Sequence, residues 1–548
     1  MNEDKRINIE QEAITLVKRN KQDWETELCF VTDKVAFNMR NLIKLLRKNY
    51  WGIFDNAIDP TTGREKIWIP LTESLVDSVV KNIDLDTKDI NFRAKKLESI
   101  GYTSIVRAAV KNELDAMNFG EYLDEFEKSL AIDGTAIWKT IEKTNKDGKK
   151  GIEIRLVDLL NFYIDPTSKS IQQSRGVLER SLMTPTEIKE MDGWINTEDV
   201  GAQTSYNIND PDLRGADTSV SLSEVFEYWG LMPKSFITGK EKDKDTLIDG
   251  HIIVSNVDSS AKVHLLKENN KKIKPYEEGW YMRVSGRWYG RGIAEKVRML
   301  QVWLNTIVNI RINRSYVSQL GIFKIRKGSG ITAQMMSRLA ANGAIVVNNK
   351  DDIEQMPVDE ASEASYQDEQ VIQSWAERNT SAFAAITGEN LPASTPATNA
   401  VLQNRNAQSG FILIKEGIGM FLQRWIKDHA LPIIMKNLNK TEILRLTGEP
   451  NELRNFDENI VNQMLYKEMD RMNKAGIVFD VTKIETLKQK SLEKLSKMGA
   501  DRFIKMNEKI NPTDYDVQVF VTNEEIDKGV LVTNLVSVLQ SFAGIPNS

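Results

Sequence analysis

"WYGRGIAEKVRMLQVWLNTIVNIRINR", Trp288 to Arg314, is where the character of this 548-residue chain changes. Ile293, Val297, Leu300, Leu304 and Ile307 recur at alternating intervals of four and three, the stripe of a helix that packs on another helix. The spacing predicts a helix from Gly292 to about Ser318, about 40 Å long at ~1.5 Å per residue. A second stripe, Gln301, Asn305, Asn309 and Asn313, is polar, uncharged and spaced by four. It reads either as a row of hydrogen bonds to a neighbouring helix or solvent, or as a wetted face along which something passes. Arg298, Arg311 and Arg314 lie on the same helix, where ion pairs compete with phosphate contact as their reading. The leading glycines, "GRWYGRG" from Gly286 to Gly292, lack the G-x-G-x-x-G order and read as backbone freedom where a sheet hands over to the helix.

C-terminal to this helix, Leu320 to Met356 reads as a small β-α-β insertion. Its strands are Gly321–Lys327 and Ala344–Val347, its helix Thr332–Ala341, and it carries Lys324, Arg326 and Lys327. A second helix follows, Ser365–Thr387, with Ile372, Trp375, Ala382, Phe383 and Ile386 on one face and Gly388 as its cap. "ITGENLPASTPATNAVLQNRN", Ile386 to Asn406, then holds a short centre without charge, and Thr395–Pro396 reads as the start of another helix. That helix continues to about Leu438 on the stripe Phe411, Ile414, Ile418, Phe421 and Trp425, with bends expected at Gly410, Gly417, Gly419 and Pro432. Helices at Glu458–Lys474, Val481–Met498, Asp501–Ile510 and Glu524–Phe542 and a strand at Tyr515–Val521 complete this side.

On the N-terminal side, helices are predicted at Val35–Tyr50, Leu71–Ile83, Tyr102–Met117 and Tyr122–Ile132. Gly134–Thr140 and Gly151–Leu156 alternate as a hairpin, and strand patterns recur at Glu224–Trp229, His251–Val257 and Trp280–Val284. The fold class is α+β, predominantly helical.

The balance of 73 basic and 78 acidic residues, a formal charge of −5, argues against a static grip on nucleic acid, which needs a basic footprint. One cysteine, Cys29, rules out a disulfide within the chain and any multi-cysteine metal site, and fits a reducing cytoplasm. No apolar run approaches the ~20 residues of a membrane span, and no signal peptide is expected. His251, His264 and His429 are scattered outside any metal motif, and neither a phosphate loop nor a G-x-S-x-G elbow occurs. Asp158 and Asp165 could hold a divalent ion if the fold joined them; a local cap and an Asp–Pro turn is the plainer reading. Asp243, Asp245 and Asp249 lack EF-hand spacing and read as a solvated turn. No catalytic residue, cofactor or metal is expected.

The order of these elements resembles the portal proteins of tailed bacteriophages. Trp288 to Arg314 is similar to the family's glycine-led entry into a stem helix, with Leu300, Gln301, Leu304 and Asn305 in a Leu-Gln-x-x-Leu-Asn pattern. "AAITGENLPAS" with "PATNAVLQNRNAQ" resembles the end of the second stem helix, the tunnel loop and the start of a long kinked helix. "EVFEYWG" at Glu224, "YIDP" at Tyr163 and "DYDVQVFVTNEE" at Asp514 have counterparts as well.

The resemblance implies a ring subunit with a wing (1–290), a descending stem helix (291–319), a clip (320–357), a returning stem helix (358–387), a tunnel loop (388–397), a long kinked helix (398–440) and a crown and wing-return region (441–548). It implies a dodecamer with an axial channel for packaging and ejecting double-stranded DNA. Its partners would be a terminase motor, neck or tail adaptors, and the major capsid or scaffolding protein, with no membrane. It would sit at the capsid portal vertex of the virion, after assembly in the host cytoplasm. Glu389, Asn390, Leu391, Pro392, Ala393, Ser394, Thr395 and Pro396 would face DNA. Arg298, Gln301, Asn305, Asn309, Arg311, Asn313 and Arg314 are stem channel candidates, and Lys324, Arg326 and Lys327 are clip candidates for partner binding. Two other classes compete: a metal-dependent nucleic-acid-processing enzyme using scattered carboxylates, and a helical virion adaptor or scaffold that forms no ring.

Overall fold

In chain order the first elements are α1 (Glu3–Glu25), β1 (Leu28–Thr32), β2 (Val35–Asn38), α2 (Met39–Trp51), α3 (Leu71–Ile83), β3 (Ile90–Ala94), α4 (Thr103–Ala116) and α5 (Phe119–Asp133). Then come β4 (Thr135–Thr144), β5 (Lys150–Val157), β6 (Phe162–Ile164), β7 (Gly176–Met183), α6 (Pro185–Glu190), β8 (Thr204–Ser205), β9 (Ser221–Pro233), α7 (Ser235–Thr238), β10 (Leu247–Ser255), β11 (Lys262–Glu268) and β12 (Tyr276–Trp280). The remainder are α8 (Ile293–Leu320), β13 (Ile322–Ile325), β14 (Ile353–Met356), α9 (Glu363–Thr380), α10 (Ala397–Trp425), α11 (Leu431–Asn437), α12 (Pro450–Lys474), α13 (Val481–Met498) and β15 (Tyr515–Val519). This computed structural model describes residues 3–25, 28–32, 35–60, 62–83, 85, 90–96, 99, 103–144, 150–198, 200–201, 204–205, 221–320, 322–332, 347, 349–356, 363–380, 397–437, 450–474, 481–498 and 514–519. The chain divides into two compact units. One is Met1–Ile43, Val80–Gly292 and Ser409–Ser548; the other is Lys44–Val79 and Ile293–Gln408.

The first unit is built on two larger sheets, beside the two-stranded pairs β1-β2 and β15-β3. The larger runs β11-β10-β9-β7-β6, with β8 added to β9; the smaller runs β12-β4-β5. Trp24, Val17 and Ala13 of α1 pack on Tyr163, Leu178, Phe226 and Tyr228 of the larger sheet. On the smaller sheet Trp138 is fully buried among Phe119, Phe126, Phe421 and Trp425, at ring-centroid distances of 4.9–5.5 Å. Phe421 stacks on Phe126 at 4.1 Å. Gly279 lies beneath them, since a Cβ there would stand 2.6 Å from the Phe126 ring. The predicted stripe Phe411, Ile414, Ile418, Phe421, Trp425 is thus the buried face of α10. Strand β15 pairs antiparallel with β3, tying together residues more than 400 positions apart.

The glycines before α8 have a more specific cause than general freedom. Gly290 and Gly292 pass against the end of α5: Cβ atoms there would meet Gly134 O at 2.2 Å and Ala131 O at 2.7 Å. Gly134 itself caps α5 in the left-handed region.

Several boundaries differ from the sequence reading. Val35–Asn38 pairs with Leu28–Thr32 rather than starting the helix. Asn38 then caps α2, its side-chain oxygen accepting from the Arg40 and Asn41 backbone N–H groups. Strand β12 covers Tyr276–Trp280, not Trp280–Val284; its two buried glutamates, Glu277 and Glu278, hide it from hydropathy. The long helix changes character at Pro432, one of the four positions where a bend is expected. A π-helical segment at Ile426–Ala430 precedes Pro432, whose ring and missing N–H force the wider turn. The insertion pairs Ile322–Ile325 with Ile353–Met356, a strand the sequence reading lacks. Its expected Thr332–Ala341 helix and Ala344–Val347 strand fall almost wholly outside the described residues, as do the helices expected at Asp501–Ile510 and Glu524–Phe542.

Candidate functional site: the long helix pair of the second unit

In the second unit α8 and α9 run antiparallel, fixed by Arg311–Glu369 at 2.6 Å near one end and Asn379 Nδ2 to Lys296 O at 3.0 Å near the other. Leu304 and Val308 of α8 meet Ile372 of α9, with Leu300 and Ile307 alongside. The Arg311 guanidinium also lies over the Tyr366 ring, 4.2 Å from its centroid. Trp375, expected on the packed face of α9, is instead exposed; Ile372 and Ala376 are the buried pair. The packed side of α9 follows 372–376, and Ala382, Phe383 and Ile386 lie outside the described residues.

The amide row of α8 has a different partner from a helix. It grips the extended segment that precedes α3. Asn309 accepts from the Ile67 N–H at 2.8 Å and donates to the Ile67 carbonyl at 2.8 Å. Asn305 accepts from the Ile69 N–H at 3.0 Å, and Gln301 donates to the Ile69 carbonyl at 2.6 Å. Gln301 Oε1 then accepts from the Thr72 N–H and hydroxyl, both at 2.9 Å. Asn313 ends the row by donating to Asp59 at 2.9 Å.

The two periods match. Four residues of helix rise ~6 Å and two of extended chain ~6.6 Å, so every fourth amide meets every second peptide. The row therefore gives the backbone the pairing that a neighbouring strand would supply.

Gln301 is fully buried and Asn305 nearly so. The expectation of a wetted polar face fails at these two positions, because the groups are closed over by Ile67–Thr72. Asn309 and Asn313 are half-buried in the same ladder. Arg298 is half-buried and lines a groove between α8 and residues 45–68. Arg311 is held by Glu369, and Arg314 is exposed. Lys324, Arg326 and Lys327 are exposed, with Lys324 3.6 Å from Glu354 across the β13–β14 pair. Glu389 to Pro396, the predicted DNA-facing loop, lies outside the described residues.

The carboxylates considered for metal chemistry have local work. Asp158 caps a 3-10 turn through the Leu160 N–H, and Asp165 accepts from the Thr167 N–H and hydroxyl. The first unit does hold a buried charged cluster. Lys139 on β4 sits 2.5 Å from both Glu179 on β7 and Glu227 on β9, joining the two sheets. Tyr276 donates to Glu179 at 2.7 Å, and Trp229 to Glu227 at 2.7 Å. Burial alone would lower the Lys139 pKa, but the two carboxylates outweigh it and raise it. Burial pushes Glu227 up, yet Lys139 and His251 draw it well below the usual carboxylate range. His251 stacks on Trp229, and burial lowers its pKa despite Glu227 3.0 Å away. His264 bonds the Ile195 carbonyl and the Ser255 hydroxyl. His251 and His264 thus each bond to neighbouring groups of the same unit.

The model of one protein family, described as the phage SU10 portal protein, matches residues 101–458, more than half of the chain. The chain belongs to the SU10 phage portal protein family. Comparison with individually curated proteins finds no match. The portal match takes in α8, α9 and the whole amide row, while the 59–72 segment that the row grips lies before it. The phage portal family is structural rather than enzymatic. Among the described residues no helix is long and apolar enough to cross a membrane.

Sequence reasoning missed two features of this portal unit. One is the partner of the amide row, which lies some 240 residues away in sequence. The other is the uncovered apolar side of α8, whose signal was present: Met299, Val302, Trp303 and Ile310 lie off the predicted stripe, making the helix apolar on most of its circumference.

Proposed function

We propose that this portal chain assembles into a dodecameric ring at the capsid vertex, and that double-stranded DNA passes through the ring's axial channel during packaging and ejection. The match of residues 101–458 to the portal family carries the reading. Two further observations support it. The helix pair α8–α9 keeps apolar side chains on its outer faces, as a subunit completed by neighbours would. The sequence also lacks a phosphate loop, so a separate terminase motor supplies the energy. The exposed cations Lys324, Arg326 and Lys327 on the clip hairpin are the proposed contact for that motor and later for neck or tail adaptors. On the stem, Arg298 and Arg314 remain the proposed channel-facing cations.

Between the stem helices and α10, the loop Glu389–Pro396 is proposed to face DNA with a cation-free sequence. DNA carries a charge every ~1.7 Å of axis, and a ring multiplies each Lys or Arg by its subunit number, so a sliding channel does best without them. Replacing Ala393 and Ser394 with Lys leaves rings intact and slows packaging in a motor-driven DNA-packaging assay; normal packaging by that variant would refute the low-grip role. The ring itself is tested by electron microscopy of the purified chain together with its mass in solution. A particle of about twelve subunits with an axial hole is expected; a monomer or small closed oligomer in the presence of capsid partners would overturn the proposal.

A further inference from the structure

Between Leu300 and Asn313, helix α8 repeats itself. Leu300-Gln301, Leu304-Asn305, Val308-Asn309 and Ile312-Asn313 are four copies of one pair, an apolar residue followed by an amide, spaced by four. The apolar members share one cluster with the extended segment: Leu304 and Val308 are buried, with Leu300, Ile312 and the segment's Ile69 and Leu71 packed against them. The amides bond the backbone of that same segment. Every turn or so, about 6 Å along its axis, α8 therefore offers the segment the same apolar contact and the same hydrogen bonds.

Three of the four amides hold the backbone: Gln301 at Thr72, Asn305 at Ile69 and Asn309 at Ile67. The fourth, Asn313, bonds the Asp59 side chain instead. At the other end the next position of the row is Val297, which has no amide to offer. Glu65, two residues before Ile67, is already paired across a turn with Ile58. The spare place on the ladder is therefore at the Asn313 end.

We propose that the segment has a second register on α8, one repeat toward Asn313, in which Asn305, Asn309 and Asn313 hold Thr72, Ile69 and Ile67. The step is about 6 Å, the one-turn ratchet of one packed element past another. Leu304, Val308 and Ile312 then take the places of Leu300, Leu304 and Val308. Arg311–Glu369 and Asn379–Lys296 are untouched, so α9 travels with α8. Intermediate positions set amides opposite no peptide group, which makes the movement a jump between two seats. Two contacts latch the observed register: Asn313 donates to Asp59 at 2.9 Å, and the Arg64 guanidinium lies 4.1 Å from the Tyr316 ring centroid. The second register lacks both and frees Gln301 from Thr72, so it is the minor state, and removing the latch shifts population toward it.

The test uses the full chain with Cys29→Ser, which removes its one cysteine, and reads disulfides formed within one chain by mass spectrometry. Lys66 and Ile310 line one groove, so Lys66→Cys with Ile310→Cys reports the observed register. Lys66→Cys with Arg314→Cys, one repeat further on, reports the second. A disulfide needs Cα atoms within about 7 Å, so a step of about 6 Å separates the two pairs. Under copper phenanthroline the first pair is expected to close fast and the second slowly. Asp59→Ala with Arg64→Ala should speed the second pair about tenfold, the weight of one hydrogen bond. Adding Asn313→Leu should return it to the slow rate while the first pair still closes; Asn313→Gln, which keeps an amide, should leave it fast. A second pair that does not speed up without the latch would overturn the proposal. Acceleration that survives Asn313→Leu would overturn it too, since the segment would then be loose rather than reseated. A first pair that stays open in the starting chain would contradict the observed register and the proposal with it.

Discussion

Trp138 and Trp303 illustrate how differently the two units are finished. Trp138 is fully buried, with four aromatic rings around it and β4 beneath. Trp303 is mostly exposed on a helix whose other sides are already covered. The first unit seals its interior with its own side chains and even joins its two sheets through Lys139, Glu179 and Glu227. The second seals two sides of α8 and leaves the third. That asymmetry separates a unit that seals its own interior from a helix left with one apolar side exposed.

The sharpest way to break the comparison is to place a charge on the open side. Ile310→Asp should abolish assembly, read as loss of the high-mass species, because an interface core does not accept an unpaired carboxylate. Thermal unfolding of the first unit should not change; a loss of fold there would show that the face also serves the isolated chain. The converse substitution lies in the first unit. Lys139→Ala leaves Glu179 and Glu227 buried without their cation and should cost about 3–5 kcal/mol in denaturant unfolding. A cost near zero would mean that water reaches the cluster.

A third prediction concerns pH. Glu278 is buried beside Glu277, and burial first, then that neighbour's charge, pushes its pKa from 4.5 up to about 7. One of its oxygens accepts from the Ile171 N–H; the other has no hydrogen-bond partner among the described residues. A carboxyl raised in the folded state binds more protons folded than unfolded, so its contribution is complete below about pH 4.5 and is lost as pH rises to about 7. Glu278→Gln should remove that slope, on the order of 3 kcal/mol across the window, by pH-dependent unfolding. An unchanged slope would contradict the burial argument. The smallest effect belongs to the ladder. Asn305→Ala orphans the Ile69 N–H and should cost about 1–3 kcal/mol, with faster hydrogen exchange confined to residues 67–72.

Much of this was legible in the sequence, and the reasons differ by region. The stripe of α10, the hairpin β4–β5 and the helices Leu71–Ile83 and Val481–Met498 were readable because one period dominates each, whereas α8 was readable as a helix but, apolar on most of its circumference, did not show which side is covered. Strand β12 was misplaced because Glu277 and Glu278 are buried charges, bonded through Arg424 and Ile171. The amide row was visible as a pattern but not as a contact, since no local rule pairs Asn309 with Ile67. Trp375 was assigned to the wrong side of its helix because hydropathy alone cannot tell a buried position from an exposed apolar one beside it.

The most direct measurement is cryo-electron microscopy of the assembled chain, resolved well enough to place side chains on α8. The expected result is a closed ring in which Met299, Trp303 and Ile310 of each subunit are covered by the next subunit. A ring whose α8 keeps that side open to the channel or to solvent would contradict it.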